Sequence, residues 1–337
     1  MKKLFSFMVI ALIGLMLVGC SDDGGTGEAA KGEETTKVKV AYMPNYASLN
    51  TVVAGIKTGT FKDEGIEVEL VEFADGPTII AALESGSIDV GYIGPGAHVL
   101  PIQGEAEIFA FSQLGNADEV IGSAKKGVGN IEDLKGKTIA VATGTSSETI
   151  LDLTLAEAGL TKDDVTLMNM DASAIVTAMI SGSVDAVATW SPNTNAIKNE
   201  MGDDAVMLSN NARYADQFPS IASWLVKPGY AEKNEDVLLR FTKGLFKAMD
   251  YRVDNLGEVA KWVAEEIAVD PDSVLQQTGD GDWITTKQLM TLIEDGTLEG
   301  YYKKQQENFV DAGRLTKEEM RPVEEYVLFD VMKNAAK

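Results

Sequence analysis

From Lys37 onward, short runs of β-branched residues alternate with segments of helical period, the pattern of βαβ units around a mainly parallel sheet. An internal repeat sharpens it. The segment Ala82-Leu83-Glu84-Ser85-Gly86-Ser87-Ile88-Asp89-Val90 is echoed by Ala178-Met179-Ile180-Ser181-Gly182-Ser183-Val184-Asp185-Ala186. Upstream, Phe61 to Ile66 matches Leu155 to Leu160; downstream, Gly94-Pro95 matches Ser191-Pro192. Opening strands are expected at Val38–Tyr42 and Thr138–Ala142. Gly65, Gly86, Gly159 and Gly182 stand where helices end and a left-handed backbone is needed.

The duplication predicts two α/β lobes, and it also predicts where a ligand sits. Open α/β sheets bind beyond the carboxyl ends of their strands, so two facing lobes bring both sets of loops to one cleft. Past Lys227 only helices are expected: Asn234–Tyr251, Gly257–Ile267, Lys287–Ile293, Glu299–Ala312 and Lys317–Lys333. Tyr301, Tyr302 and Phe309 fall at helical spacing and read as core. Asp280-Gly281-Asp282 reads as a turn, since the remainder of a calcium loop is missing.

The first 36 residues break this pattern. Lys2 and Lys3 precede an apolar run from Leu4 to Val18, the layout of a secretory signal and too short for a comfortable bilayer span of ~20 residues. Leu17-Val18-Gly19-Cys20 resembles a lipobox, which makes residues 1–19 a cleaved signal peptide and Cys20 a lipidated, membrane-anchoring N-terminus. Residues 20–36 have no large apolar side chain and read as a tether. The expected location is the outer face of the cell membrane.

Composition narrows the function. Cys20 is the only cysteine and His98 the only histidine, which leaves little material for a catalytic triad, a thiolate site or a zinc centre. His98 has no evident catalytic partner and reads as structural. No metal or cofactor is expected, and neither a Walker A sequence nor a dinucleotide fingerprint occurs. The formal charge of −23 repels phosphate backbones, so nucleic acid is not a partner.

The loops supply the candidate ligand contacts. From the first copy come Tyr42, Asn45 and Tyr46, then Tyr92, Gly94 and Pro95. From the second come Gly144, Thr145, Ser146 and Ser147, then Trp190 and Asn193; a crossing segment adds Arg213, Tyr214 and Phe218. Gly144 to Ser147 precede a helical run, so hydroxyls and free N–H groups face the cleft as an anion site; Ser146 or Ser147 capping that helix is the competing and compatible reading. The aromatic residues would wall the pocket, with core packing as the alternative. Arg213 is a candidate counter-charge for a sulfonate or carboxylate, against a plain surface arginine. Asp75 and Asp171 read as helix caps, although Asp171, Glu148 or Asp216 could meet a ligand ammonium.

Gly91 to Pro95, Gly144 to Ser147 with the helix ending Leu155-Ala156-Glu157-Ala158-Gly159-Leu160, Asp185 through Pro192, and Asn308 to Leu315 together resemble the nitrate, sulfonate and taurine (NMT1-like) class of ABC transporter solute-binding proteins, over Lys37 to about Val331. The resemblance implies a type II periplasmic-binding-protein fold. Lobe one would comprise 37–113 and 214–337, and lobe two 114–213, with two crossing strands as hinge. It further implies a monomer that closes on a small sulfonate- or taurine-like solute and delivers it to membrane permease subunits. Receptors for thiamine-precursor pyrimidines share the superfamily and give the alternative ligand. Pyrimidine synthases of the same superfamily carry an iron-binding cysteine cluster that this chain lacks, so an enzyme is the least favoured reading.

Overall fold

The computed structural model describes residues 35–337, which form one compact unit; the signal peptide expected at residues 1–19 and the lipidation expected at Cys20 lie outside the described residues. The opening strand β1 (Thr36–Tyr42) pairs in parallel with β2 (Ile66–Glu72) and β3 (Val90–Ile93). Between them run α1 (Tyr46–Thr58) and α2 (Gly76–Ser85), started by Asn45 and Asp75, whose side chains accept from the backbone N–H of Ser48 and Thr78. Gly86 ends α2 at φ +74°, a conformation that costs any other residue its Cβ clearance.

The chain leaves this sheet along β4 (Glu107–Gly115) and enters a second one along β5 (Asp118–Ser123). There the motif repeats: β6 (Thr138–Val141), α3 (Ser146–Glu157), β7 (Thr166–Asn169), α4 (Ala172–Ile180), β8 (Ala186–Trp190) and α5 (Asn193–Met201). Gly182, the counterpart of Gly86, has φ +71°. The return path is β9 (Ala205–Asn210), a turn, and β10 (Ile221–Val226).

The sheet orders show how far the duplication goes. The first sheet runs β11-β4-β10-β3-β1-β2, with β11 (Gly281–Asp282) a short edge strand; the second, read in the same sense, runs β9-β5-β8-β6-β7. In both, the strand arriving from the other sheet lies antiparallel between a parallel trio and the departing strand. The crossings therefore run side by side as a two-strand hinge.

Strand parity builds the second lobe's core on both sheet faces. Val120, Ile139 and Val141 pack with Ile150 and Leu155, while Ile121, Ala140 and Ala142 pack with Ile175 and Met179. Period-two alternation with both faces covered is the mark of a buried parallel sheet.

The helices past Lys227 cover the first lobe. Observed are α6 (Glu235–Asp254), α7 (Leu256–Glu266), α8 (Thr286–Glu294), α9 (Thr297–Asp311) and α10 (Phe329–Ala335). Tyr302 and Phe309 are buried in that core and Tyr301 is half-buried. Two expectations need correction. The continuous helix over Lys317–Lys333 is broken into 3₁₀ turns around Pro322, which lacks the N–H a helix interior uses. The region is also not free of strand, because β11 pairs with β4.

One buried charge stands out. Arg252 on α6 is fully buried and donates to Asn50 Oδ1 (2.8 Å), Thr51 Oγ1 (2.9 Å) and the Ile284 carbonyl (3.2 Å), with its guanidinium 5.2 Å from the Trp283 ring centroid. No carboxylate pairs with it among the described residues, and burial brings its pKa down to about 10. It links α1, α6 and the segment before α8 through hydrogen bonds and the Trp283 ring, without an ion pair. Arg252→Ala leaves a cavity and removes one of the two donors on Asn50 Oδ1, the Thr51 hydroxyl being the other, and is expected to cost about 3 kcal/mol; thermal unfolding checks this, and an unchanged Tm would refute the linking role.

Candidate functional site

Where the carboxyl ends of the two parallel trios face each other, the loops enclose a cavity. It measures ≈ 60 Å³ by the positions open to the centre of a water-sized sphere, room for about five such groups at roughly 12 Å³ each. From the first lobe come Asn45, Tyr92, Gly94, Pro95 and Gln113; from the second come Thr145, Ser146, Trp190 and Ser191; Asp118 and Asp280 complete it at the hinge side. A wider vestibule of ≈ 340 Å³ by the same measure, lined by Glu72, Asp171, Trp190 and Asn193 among others, adjoins it at Met43, Asn45 and Trp190.

Each polar group has a local reason for its position. Asn45 caps α1 at the end of β1. Tyr92 sits on β3, its hydroxyl oxygen accepting from Gln113 Nε2 at 2.5 Å and its ring edge-on to Trp224. Thr145 is the N-cap of α3, so the helix's first-turn N–H groups, which lack intrahelical partners, lie at the cleft. The cap is thus Thr145 and neither Ser146 nor Ser147. Trp190, half-buried at the end of β8, walls both chambers.

The cavity is acidic. Asp118 is buried; desolvation pushes its carboxyl up to about 6, with a further push from Glu119 and an opposing pull from the nearby Ser146 hydroxyl and the Asn211 amide. Asp280 is likewise raised to about 6, chiefly by burial. No lysine, arginine or histidine lines the cavity. Sequence reasoning missed Asp118 and Gln113, placed Ser191 in a candidate loop without singling it out as a contact, and read Asp280 only as part of a turn.

The remaining candidates lie elsewhere. Tyr42 is buried with its hydroxyl on Glu72 (3.3 Å), and the Tyr46 ring packs edge-on against Trp283 in the first lobe's core. Ser147 is buried beneath the α3 terminus, hydrogen-bonded to Thr145. Gly144 adopts φ +82° and donates its N–H to Glu148. Asn193 faces the vestibule and donates to Thr189 and Ala172. Arg213, expected as a counter-charge, pairs with Glu157 on the exposed side of α3, and Tyr214 is buried with its hydroxyl on the same carboxylate. Phe218 packs against Phe309.

Nor do the acids named for an ammonium line the cavity. Burial raises the Glu148 pKa, but Lys162, the Gly144 N–H and Arg314 outweigh it and hold the carboxyl below its usual range. Asp171 caps α4 beside the vestibule, and Asp216 is exposed. His98 is buried, its Nε2 2.9 Å from Ser223 Oγ and its Nδ1 near the Gly94 and Pro95 carbonyls; burial lowers its pKa to about 4, so the ring is neutral and structural.

The lobes meet at the cleft's back wall. Arg314, just past α9, donates to the Gly96 carbonyl in the first lobe and to Thr149 in the second, each at 2.8 Å. Gly96 itself lies against the Thr145 carbonyl so closely that a Cβ there would overlap it. Gly96→Ala is expected to hold the lobes apart: affinity for any solute that the wild type binds should fall at least ten-fold, with scattering showing an open radius under saturating solute. Normal closure by the variant would refute this contact.

Comparison with known proteins fits this geometry. Residues 47–256 match the family described as NMT1/THI5 like. A Brucella abortus (strain 2308) protein, named as a binding protein without a stated ligand, is 32% identical over 279 residues, covering 82% of this chain and 86% of that one. The taurine-binding periplasmic protein of Escherichia coli (strain K12) is 29% identical over 227 residues, 66% of this chain and 68% of its own. The alkanesulfonate-binding protein SsuA from Xanthomonas axonopodis pv. citri, bound to MOPS, superposes with TM-score 0.69 at 21% identity, covering 86% of this chain and 97% of that one, and shows the shared two-lobed fold. The sequence match and the paired sheets thus agree, and the chain belongs to the NMT1/THI5-like family as a binding protein rather than an enzyme.

Proposed function

We propose that this protein is the extracytoplasmic solute-binding component of an ABC importer, closing on a small sulfonate- or taurine-like organic anion or zwitterion and presenting it to permease subunits. The observation that carries this reading is the cavity between duplicated lobes, with the α3 N-terminus on one side and Tyr92 and Asn45 on the other. With no basic side chain in the lining, an acidic group would be met by the free N–H groups of the helix terminus. The size of the cavity suits a solute of few heavy atoms, and the relationship to the taurine-binding protein supports the same class. Trp190 and Tyr92 would cover its apolar middle.

Attachment is part of the proposal. Among the described residues no helix is long and apolar enough to cross a membrane. Cys20 in its lipobox-like setting would carry diacylglycerol and hold a monomer at the outer face of the cell membrane, on a tether ending where β1 begins at Thr36.

Two measurements test this. Calorimetry across taurine and a series of alkanesulfonates should find at least one ligand whose binding Trp190→Ala weakens at least ten-fold, roughly the 1–2 kcal/mol of an aromatic anchor; if no sulfonate binds while a thiamine-precursor pyrimidine does, the ligand class is wrong and the receptor reading survives. Cys20→Ser should abolish incorporation of labelled palmitate and move the protein from the membrane to the soluble fraction, and a variant that stays membrane-bound counts against the anchor.

A further inference from the structure

Three acceptors in the cavity have no use in holding an anion. Asp118 Oδ1 is buried without a hydrogen-bond partner, although Oδ2 of the same carboxylate accepts from Asn211 Nδ2 at 3.1 Å. Gln113 Oε1 is also buried and unpartnered, since the amide spends its Nε2 on the Tyr92 hydroxyl. Asp280 brings a second carboxylate to the same wall, held there because its backbone carbonyl accepts from Asn116 N at 2.7 Å. A buried acceptor left unpaired is costly, and a carboxylate more so. The arrangement is therefore incomplete without a donor, and two acids together call for a charged one.

We propose that Asp118, Asp280 and Gln113 form a hinge-side subsite for a protonated nitrogen, so that the transported solute carries an ammonium-type group in addition to any acidic one. This rests on the solute-binding reading above and narrows it: bare anions such as simple alkanesulfonates are poor ligands, and zwitterions or organic cations are good ones. The subsite lies on the hinge itself. Asn211 accepts from Asp118 N (2.7 Å) and donates to Asp118 Oδ2 and Ser220 Oγ (2.8 Å), which ties the start of β5 to the segment between β9 and β10. A cation seated on Oδ1 thus completes a network that spans both crossings.

The charges around the subsite set its pH dependence. Glu119 faces both carboxylates, but it is engaged by Lys198 at 2.7 Å; Ser146 and Asn211 face Asp118, and Ser191 faces Asp280. With burial holding both acids near 6 in the empty protein, they are ionised at pH 7.5 and largely protonated at pH 5. A cation binds the ionised form, so affinity falls as pH drops through 6.

The experiment is a thermal-shift and calorimetric panel of matched pairs in which only the amine is replaced: taurine with propane-1-sulfonate, β-alanine with butyrate, and ethanolamine with propan-1-ol. At pH 7.5 the stabilising members should be amines, each binding at least ten-fold tighter than its partner, and the dissociation constant should rise at least ten-fold at pH 5. Asp118→Asn should bring the ratio within a pair close to one and flatten the pH profile. Asp280→Asn, on a carboxylate without a hinge hydrogen bond, should do the same in part and guards against a folding defect in the first variant. If the sulfonate pair is silent while another amine binds, the sulfonate class fails and the subsite stands. If des-amino members bind equally well, or the Asn variants leave the ratios intact, the subsite is overturned while solute binding survives. If no member of any pair binds at millimolar concentration, the subsite and the sulfonate or zwitterion class both fall.

Discussion

Beside the Gly115 N–H bond to the Ser220 carbonyl, the two crossings between lobes are tied by a single side chain, and the rest of the architecture depends on that tie. Asn211 uses its amide oxygen on the backbone of Asp118 and its amide nitrogen on Asp118 Oδ2 and Ser220 Oγ. Both ends of the amide are thereby satisfied in a buried setting, where a hydrogen bond is strengthened and an unmet one is expensive. Because each arriving strand lies beside a departing one, a rotation at this tie moves one whole sheet against the other without disturbing either. Rigid lobes and a compliant hinge follow from the same topology, and so does the location of the cleft between the facing loops.

Against that frame, charge is distributed economically. The chain is strongly acidic, yet among the described residues the fully buried Arg252 has no acid paired with it, and the buried Asp118 has no base. The two are satisfied differently. Arg252 is saturated by neutral acceptors and the Trp283 face apart from its Nε, which suits a permanent structural role. Asp118 lines the cavity and keeps one oxygen without a partner, which suits a group whose partner comes and goes. Full satisfaction stabilises a fold; incomplete satisfaction at a cleft leaves free energy to be gained on binding.

The duplicated frame was legible because its punctuation is chemical. Gly86 and Gly182 must adopt a left-handed backbone, Asp75 and Asp171 must cap, and the same residue types recur at the same places. The loops at the strand ends followed, and Asn45, Tyr92, Thr145, Ser146 and Trp190 line the cavity. What was hidden depends on contacts without local signature. Tyr42 and Tyr46 sit at the right end of β1, but strands and helix starts buried on every side give no parity by which to tell cleft from core. Arg213 turns to Glu157, 56 residues away, and one helical face decides whether that partner is available. Asp118 lies in the crossing, which has no counterpart in the repeat, and Asp280 reaches the cavity only because β11 pairs with β4.

The position of the acids bears on how closure could be selective. A receptor whose closed form is a fraction of the empty population binds more weakly by that fraction, and only a ligand that prefers the closed form shifts it. Here the α3 terminus belongs to one lobe, Tyr92 to the other and Asp118 to the hinge. A solute touching the helix terminus alone would gain the same energy with the lobes open or closed. One that also places a cation at the hinge and an apolar middle between Tyr92 and Trp190 gains all three contacts only when Gly96 has reached the Thr145 carbonyl. Discrimination would then arise from the number of parts the solute can engage at once, with no need for unusual strength at any single contact.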